Sequence, residues 1–131
     1  MIKYKSGYKY ILYEDYFINL GISPSFNIET DFITIKDGTL YIKKGYAWDG
    51  ASGPAIDTKN FMRSSLVHDA LYQVIREEKL PKSYRLRADN ILKNICLEDG
   101  MSKIRVWWVY KGVRLGGSLA IKNFRDILVA P

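Results

Sequence analysis

One histidine, His68, and one cysteine, Cys96, are all that 131 residues hold of the two side chains that most often bind transition metals. A single cysteine cannot form an intrachain disulfide, which fits a reducing compartment. The same shortage excludes CxxC sites, three-histidine zinc sites and the His-x-x-x-His pattern of zinc proteases. Nor does any stretch approach the roughly 18 apolar residues that a spanning helix needs. The first ten residues, MIKYKSGYKY, lack the apolar run of a signal peptide, so neither a secreted nor a membrane-spanning chain is expected.

What is present is ordinary in amount and uneven in placement. With 47% hydrophobic and 26% charged residues, a packed core is expected rather than disorder. The length suits one domain over residues 1–131. The net charge of +6 belongs to the second half: residues 1–60 hold seven Lys against seven Asp and Glu, whereas residues 61–131 hold thirteen Lys and Arg against seven. Lys103, Arg105, Lys111 and Arg114 stand among Trp107, Trp108 and Tyr110. Such a region could face anionic phospholipid or nucleic acid, and could equally be a packed aromatic face with solvated charges.

The pattern predicts an α+β fold, a β-rich first half leading into about three helices. Residues 8–13 (YKYILY) favour a strand, and residues 31–35 and 39–43 alternate polar and apolar around Lys36-Asp37-Gly38, a hairpin signal. Gly21-Ile-Ser-Pro-Ser reads as a turn. Residues 45–57, GYAWDGASGPAID, read as a glycine-rich loop without regular structure. Asn60 is the expected cap of a helix in which Phe61, Leu66, Val67, Ala70, Leu71, Val74 and Ile75 recur at helical spacing to about Glu78. Leu80-Pro81-Lys82 ends it. Ser83 is then expected to cap a helix with the stripe Ala88, Ile91, Leu92, Ile95 and Cys96, closed by Asp99-Gly100. Ser102 is expected to cap a third over residues 103–114, closed by Gly116-Gly117.

The candidate chemistry surrounds His68. In SSLVHDALYQ, residues 64–73, His68 shares a helix face with Tyr72, while Asp69 points about 100° away. A short connection makes the first two helices antiparallel, which would return Asp89 to the level of His68. Asp89 beside Ala88 on an apolar stripe is an odd place for a carboxylate without a partner. A carboxylate holding one imidazole nitrogen leaves the other free to take a proton. Arg85 and Arg87 could pair Asp89 or bind a substrate phosphate, or simply line a solvated face. The phosphohydrolases with a helical His-Asp need further histidines and are excluded. One histidine among carboxylates and a glycine-rich loop suits calcium or magnesium better than zinc.

Two resemblances follow from these residues. The run Gly45-Tyr46-Ala47-Trp48-Asp49-Gly50-Ala51-Ser52, then His68-Asp69-Ala70-Leu71-Tyr72, then Arg87-Ala88-Asp89, looks like a family of short phage and prophage proteins of unknown function, over roughly residues 30–118. That implies a phage origin, with host cytoplasm or virion as location and host or virion proteins as partners, but no activity. More distantly, His68-Asp69-x-x-Tyr72 with Tyr84 and Ala88-Asp89 is similar to phospholipase A2, especially its disulfide-free viral and microbial forms. This second resemblance implies His68 as base, Asp69 as calcium ligand, and Asp89 with Tyr72 as supports. It also implies calcium ligands from Trp48, Asp49 and Gly50, although the family's glycine pattern is not literally present. Trp48, Arg85 and Arg87 would then meet substrate. Three readings stay open: a calcium-dependent phospholipid hydrolase, a non-enzymatic phage protein with the same network, and a metal-dependent nuclease.

Overall fold

The computed structural model describes residues 4–5, 10–21, 27–48 and 59–123, with side chains over 10–21, 27–48 and 59–116. The architecture is α+β; among the described residues seven short strands precede three helices: β1 (Tyr4–Lys5), β2 (Tyr10–Leu12), β3 (Tyr16–Asn19), β4 (Ile28–Glu29), β5 (Ile33–Lys36), β6 (Thr39–Ile42) and β7 (Ala47–Trp48), then α1 (Lys59–Arg76), α2 (Arg85–Glu98) and α3 (Lys103–Asn123). The chain divides into two compact units, Met1–Asp49 and Gly50–Pro131.

The first unit holds two antiparallel sheets, ordered β1-β2-β7 and β3-β6-β5-β4. The β5–β6 hairpin turns at Asp37 (φ 53°) and Gly38 (φ 78°), the two positive dihedrals that a two-residue turn needs to match strand twist. That turn fixes the register, Ile33 opposite Ile42 and Ile35 opposite Leu40. Since side chains alternate along a strand, all four land on one face, and all four are buried. β4 adds Ile28 opposite Ile35, and β3 adds Ile18 opposite Leu40. The other face carries Phe17 opposite Tyr41, both exposed, with ring centroids 6.1 Å apart. The segment expected to hold no regular element contains one: Ala47 and Trp48 pair with Ile11 and Tyr10 as β7. Alternation over two residues is too short to read, and the partner strand supplies the order.

The second unit is a helical layer. Twelve of the eighteen residues of α1 are buried, including the whole predicted stripe and also Ser64, Ser65 and His68. Each of those serines satisfies its hydroxyl within the helix, Ser64 donating to the Phe61 carbonyl and Ser65 to that of Met62, both at 2.9 Å. Arg63 near the start of α1 grips Asp99 and Glu98 at the end of α2 at 2.8–3.0 Å, so the helices run antiparallel. Phe61, Leu92, Cys96, Met101 and Val106 form a shared core, against which Val109 and Val113 of α3 pack.

Four helix boundaries differ from expectation. Asn60 lies inside α1 rather than capping it. α1 ends at Arg76 in a Schellman arrangement: the Lys79 amide donates to the Val74 carbonyl and that of Glu78 to Ile75, with Glu78 at φ 62°. Ser83 sits in a 3-10 turn (Lys82–Tyr84), and α2 begins without a side-chain cap. Its stripe includes Asp89, while Ile91 is only half-buried. Finally, α3 passes through Gly116-Gly117 to Asn123. Glycine weakens a helix by about 1 kcal/mol but, unlike proline, keeps its amide donor. Ser102 does cap α3, accepting the Arg105 amide at 3.2 Å. Among the described residues no helix is long and apolar enough to cross a membrane.

Candidate functional site

Helix periodicity brings the site together. His68 and Tyr72, one turn apart on α1, stack with ring centroids 4.1 Å apart. Opposite them on α2, Asp89 is wholly buried. Its Oδ1 accepts from His68 Nε2 at 2.7 Å and from the Tyr72 hydroxyl at 2.5 Å. Its Oδ2 accepts from Arg114 Nη1 of α3 at 2.7 Å. Three helices therefore converge on one carboxylate.

Burial by itself pushes the Asp89 carboxyl up, but the donors from His68, Tyr72 and Arg114 outweigh it and hold it below the ordinary range. An ionised Asp89 only accepts, so His68 must donate through Nε2–H, and the free lone pair of the neutral ring lies on Nδ1. Burial first, and then the hydrogen bond to Asp89, push the Tyr72 hydroxyl far up, so it stays a protonated donor. This arrangement can hold one tautomer of a single imidazole and stabilise the imidazolium formed when Nδ1 takes a proton. Access is narrow, for the His68 side chain is 9% exposed.

The expected residues are only partly gathered. His68, Tyr72 and Asp89 meet as the spacing suggested. Arg85 is half-buried at the edge of the network, where its charge acts on Tyr72, and it donates to the Arg114 carbonyl at 3.4 Å. Arg87 is exposed on α2. Asp69 is half-buried on α1. Trp48 is buried in β7 of the first unit, its ring 5.6 Å from that of Tyr10. Asp49, Gly50 and Ser52, with the remainder of residues 49–57, lie outside the described residues. Among the described residues no three of His, Cys, Asp and Glu cluster so as to hold a metal.

Arg114 is the residue of the site that sequence reasoning missed, having grouped it with Lys103, Arg105 and Lys111 in the basic aromatic segment. It stands about 100° round the helix from the packed Val113, at the flank of that face, and from there its long side chain reaches Asp89 while staying 28% exposed. The one usable signal was indirect, since a wholly buried carboxylate requires a cation from some element.

Residues 26–113 match the family described as "Protein of unknown function (DUF1353)", which covers most of the chain and places it in that family. No curated protein matches the chain. No solved structure matches it either.

Proposed function

Starting from membership of a family whose description assigns no activity, we propose that this is a phage or prophage protein with a water-activating hydrolase site for phospholipid esters. The observation that carries the reading is the buried Asp89 carboxylate bonded to both His68 Nε2 and Tyr72, which leaves Nδ1 as the only basic nitrogen of the ring. In the proposed reaction Nδ1 takes a proton from water as the water oxygen attacks the ester carbonyl carbon. The tetrahedral adduct then expels the alcohol oxygen, which recovers the proton from the imidazolium. Fatty acid and lysophospholipid result, and Asp89 stabilises the imidazolium throughout. Calcium belongs to the proposal at Asp69, with its other ligands expected from the glycine-rich segment that follows Trp48; bound there, it would polarise the ester carbonyl.

One observation favours a second reading. His68 is 7% exposed and Asp89 fully buried, which suits a network kept for stability in a non-enzymatic virion or host-interacting protein. Fatty-acid release from phospholipid vesicles with calcium separates the two. The hydrolase reading expects release by the parent and none by His68→Gln. No release from any vesicle tested sinks it in favour of the structural reading. Calorimetry tests the metal separately: Asp69→Asn should lose calcium binding, and a variant that binds as the parent does removes calcium from the proposal.

A further inference from the structure

Over residues 103–116, where its side chains are described, helix α3 has two apolar faces and only one of them is packed. Val106, Val109 and Val113, three and seven residues apart, face the helical core. On the opposite side Ile104, Trp108, Lys111 and Leu115 recur at offsets of four, seven and eleven, which defines a single stripe. Ile104 is 74% exposed, Trp108 65% and Leu115 79%, with Trp107 at 52% beside them. The two indoles meet edge to face, centroids 4.8 Å apart, and Lys111 Nζ lies 5.5 Å from the Trp107 ring centre. This many large apolar side chains on one outward face is more than scattered surface hydrophobes explain.

We infer that this face of α3 docks on an anionic lipid surface, with the helix lying in the interface plane. Charge selects the occupant. No acidic residue occurs in the α3 sequence KIRVWWVYKGVRLGGSLAIKN, and of its exposed lysines Lys111 lies within the stripe and Lys103 beside it. Indoles with lysines beside them suit the headgroup level, where the ring body is apolar and the ammonium reaches lipid phosphate. A second copy of the chain fits poorly, because two-fold pairing through the stripe would bring together two helices that each carry several cations and no carboxylate. Nucleic acid would satisfy the lysines but gain nothing from Ile104 and Leu115. The docking stands on α3 alone, independent of hydrolysis at His68.

Co-sedimentation with vesicles of phosphatidylcholine, with and without phosphatidylglycerol, tests it. The parent should bind the anionic vesicles, more weakly as salt rises, and its tryptophan emission should shift to the blue. Lys111→Gln should weaken partitioning about fivefold, and Trp108→Ser about tenfold or more. Both positions are exposed, so unchanged thermal unfolding shows that the variants are folded. His68→Gln should bind as the parent does even where fatty-acid release is lost. Equal binding to neutral and anionic vesicles, parent-like binding by both α3 variants, or a lipid-free dimer broken by Trp108→Ser would each overturn the inference.

Discussion

The two units bury their interiors with different chemistry. The hairpin of the first hides Ile33, Ile35, Leu40 and Ile42, and among the described residues every buried side chain of that unit is aliphatic or aromatic, with Tyr46 and Trp48 alone carrying a polar atom. The helical unit hides Ser64, Ser65, His68 and Asp89 within its apolar packing. A sheet face of isoleucines asks only for volume and register, and tolerates changes that keep both. The helical interior asks for matched donors and acceptors, since a buried polar group without a partner costs more than a lost methyl. Every buried side-chain nitrogen and oxygen among the described residues does have a partner. The contrast teaches where to look for function: in the unit that holds a carboxylate where a leucine would have served.

Near-isosteric substitutions on the two sides should break or sharpen that contrast. Asp89→Asn leaves His68, Tyr72 and Arg114 facing an amide, and should cost about 3 kcal/mol in urea unfolding, the low end because Arg114 keeps some water contact. Ile35→Val in the sheet should cost about 1 kcal/mol. Equal losses would mean that the polar network is no more demanding than the apolar layer. The same variant should change the acid limb. Because the Asp89 carboxyl is held below its ordinary value of 3.8, its stabilisation is present above that range and disappears as pH falls through the lowered value. The stability gap between parent and Asp89→Asn should therefore narrow on acidification, and a constant gap would show that the charge of Asp89 is not what stabilises.

Smaller effects belong to backbone geometry. Gly38→Ala forces a side chain onto φ 78° and should cost about 1–2 kcal/mol, measured by thermal unfolding. Glu78→Gly should act oppositely, gaining about 1 kcal/mol, because Glu78 holds φ 62° where helices usually end in glycine. A loss on Glu78→Gly would mean that the glutamate side chain contributes more than its dihedral costs.

That pair also shows what could be read in advance. Both α1 and α2 end in Schellman geometry, the Met101 amide returning to the Cys96 carbonyl as that of Lys79 returns to Val74. At the second the residue in positive φ is Gly100, so Asp99-Gly100 announced the stop. At the first it is Glu78, and nothing in Arg76-Glu77-Glu78 distinguishes an end from a further turn. The hairpin was legible for the reason Gly100 was, because Asp37-Gly38 states its dihedrals. β3, β4 and β7 were not, since strands of two to four residues owe their order to neighbours. Within the site, His68, Tyr72 and Asp89 followed from helical spacing and one short connection. Arg114 lies on a third helix, and its inward turn depends on how α3 packs, which local periodicity does not specify.

The central claim is that Asp89 fixes His68 as a base presenting Nδ1. Because the chain has one histidine, nitrogen-15 NMR of labelled protein reports this imidazole without ambiguity. In the neutral ring the account predicts a proton on Nε2 and a bare Nδ1, with Asp89→Asn disturbing that preference. A neutral ring carrying its proton on Nδ1, or a tautomer mixture like that of free imidazole in the parent protein, would contradict it.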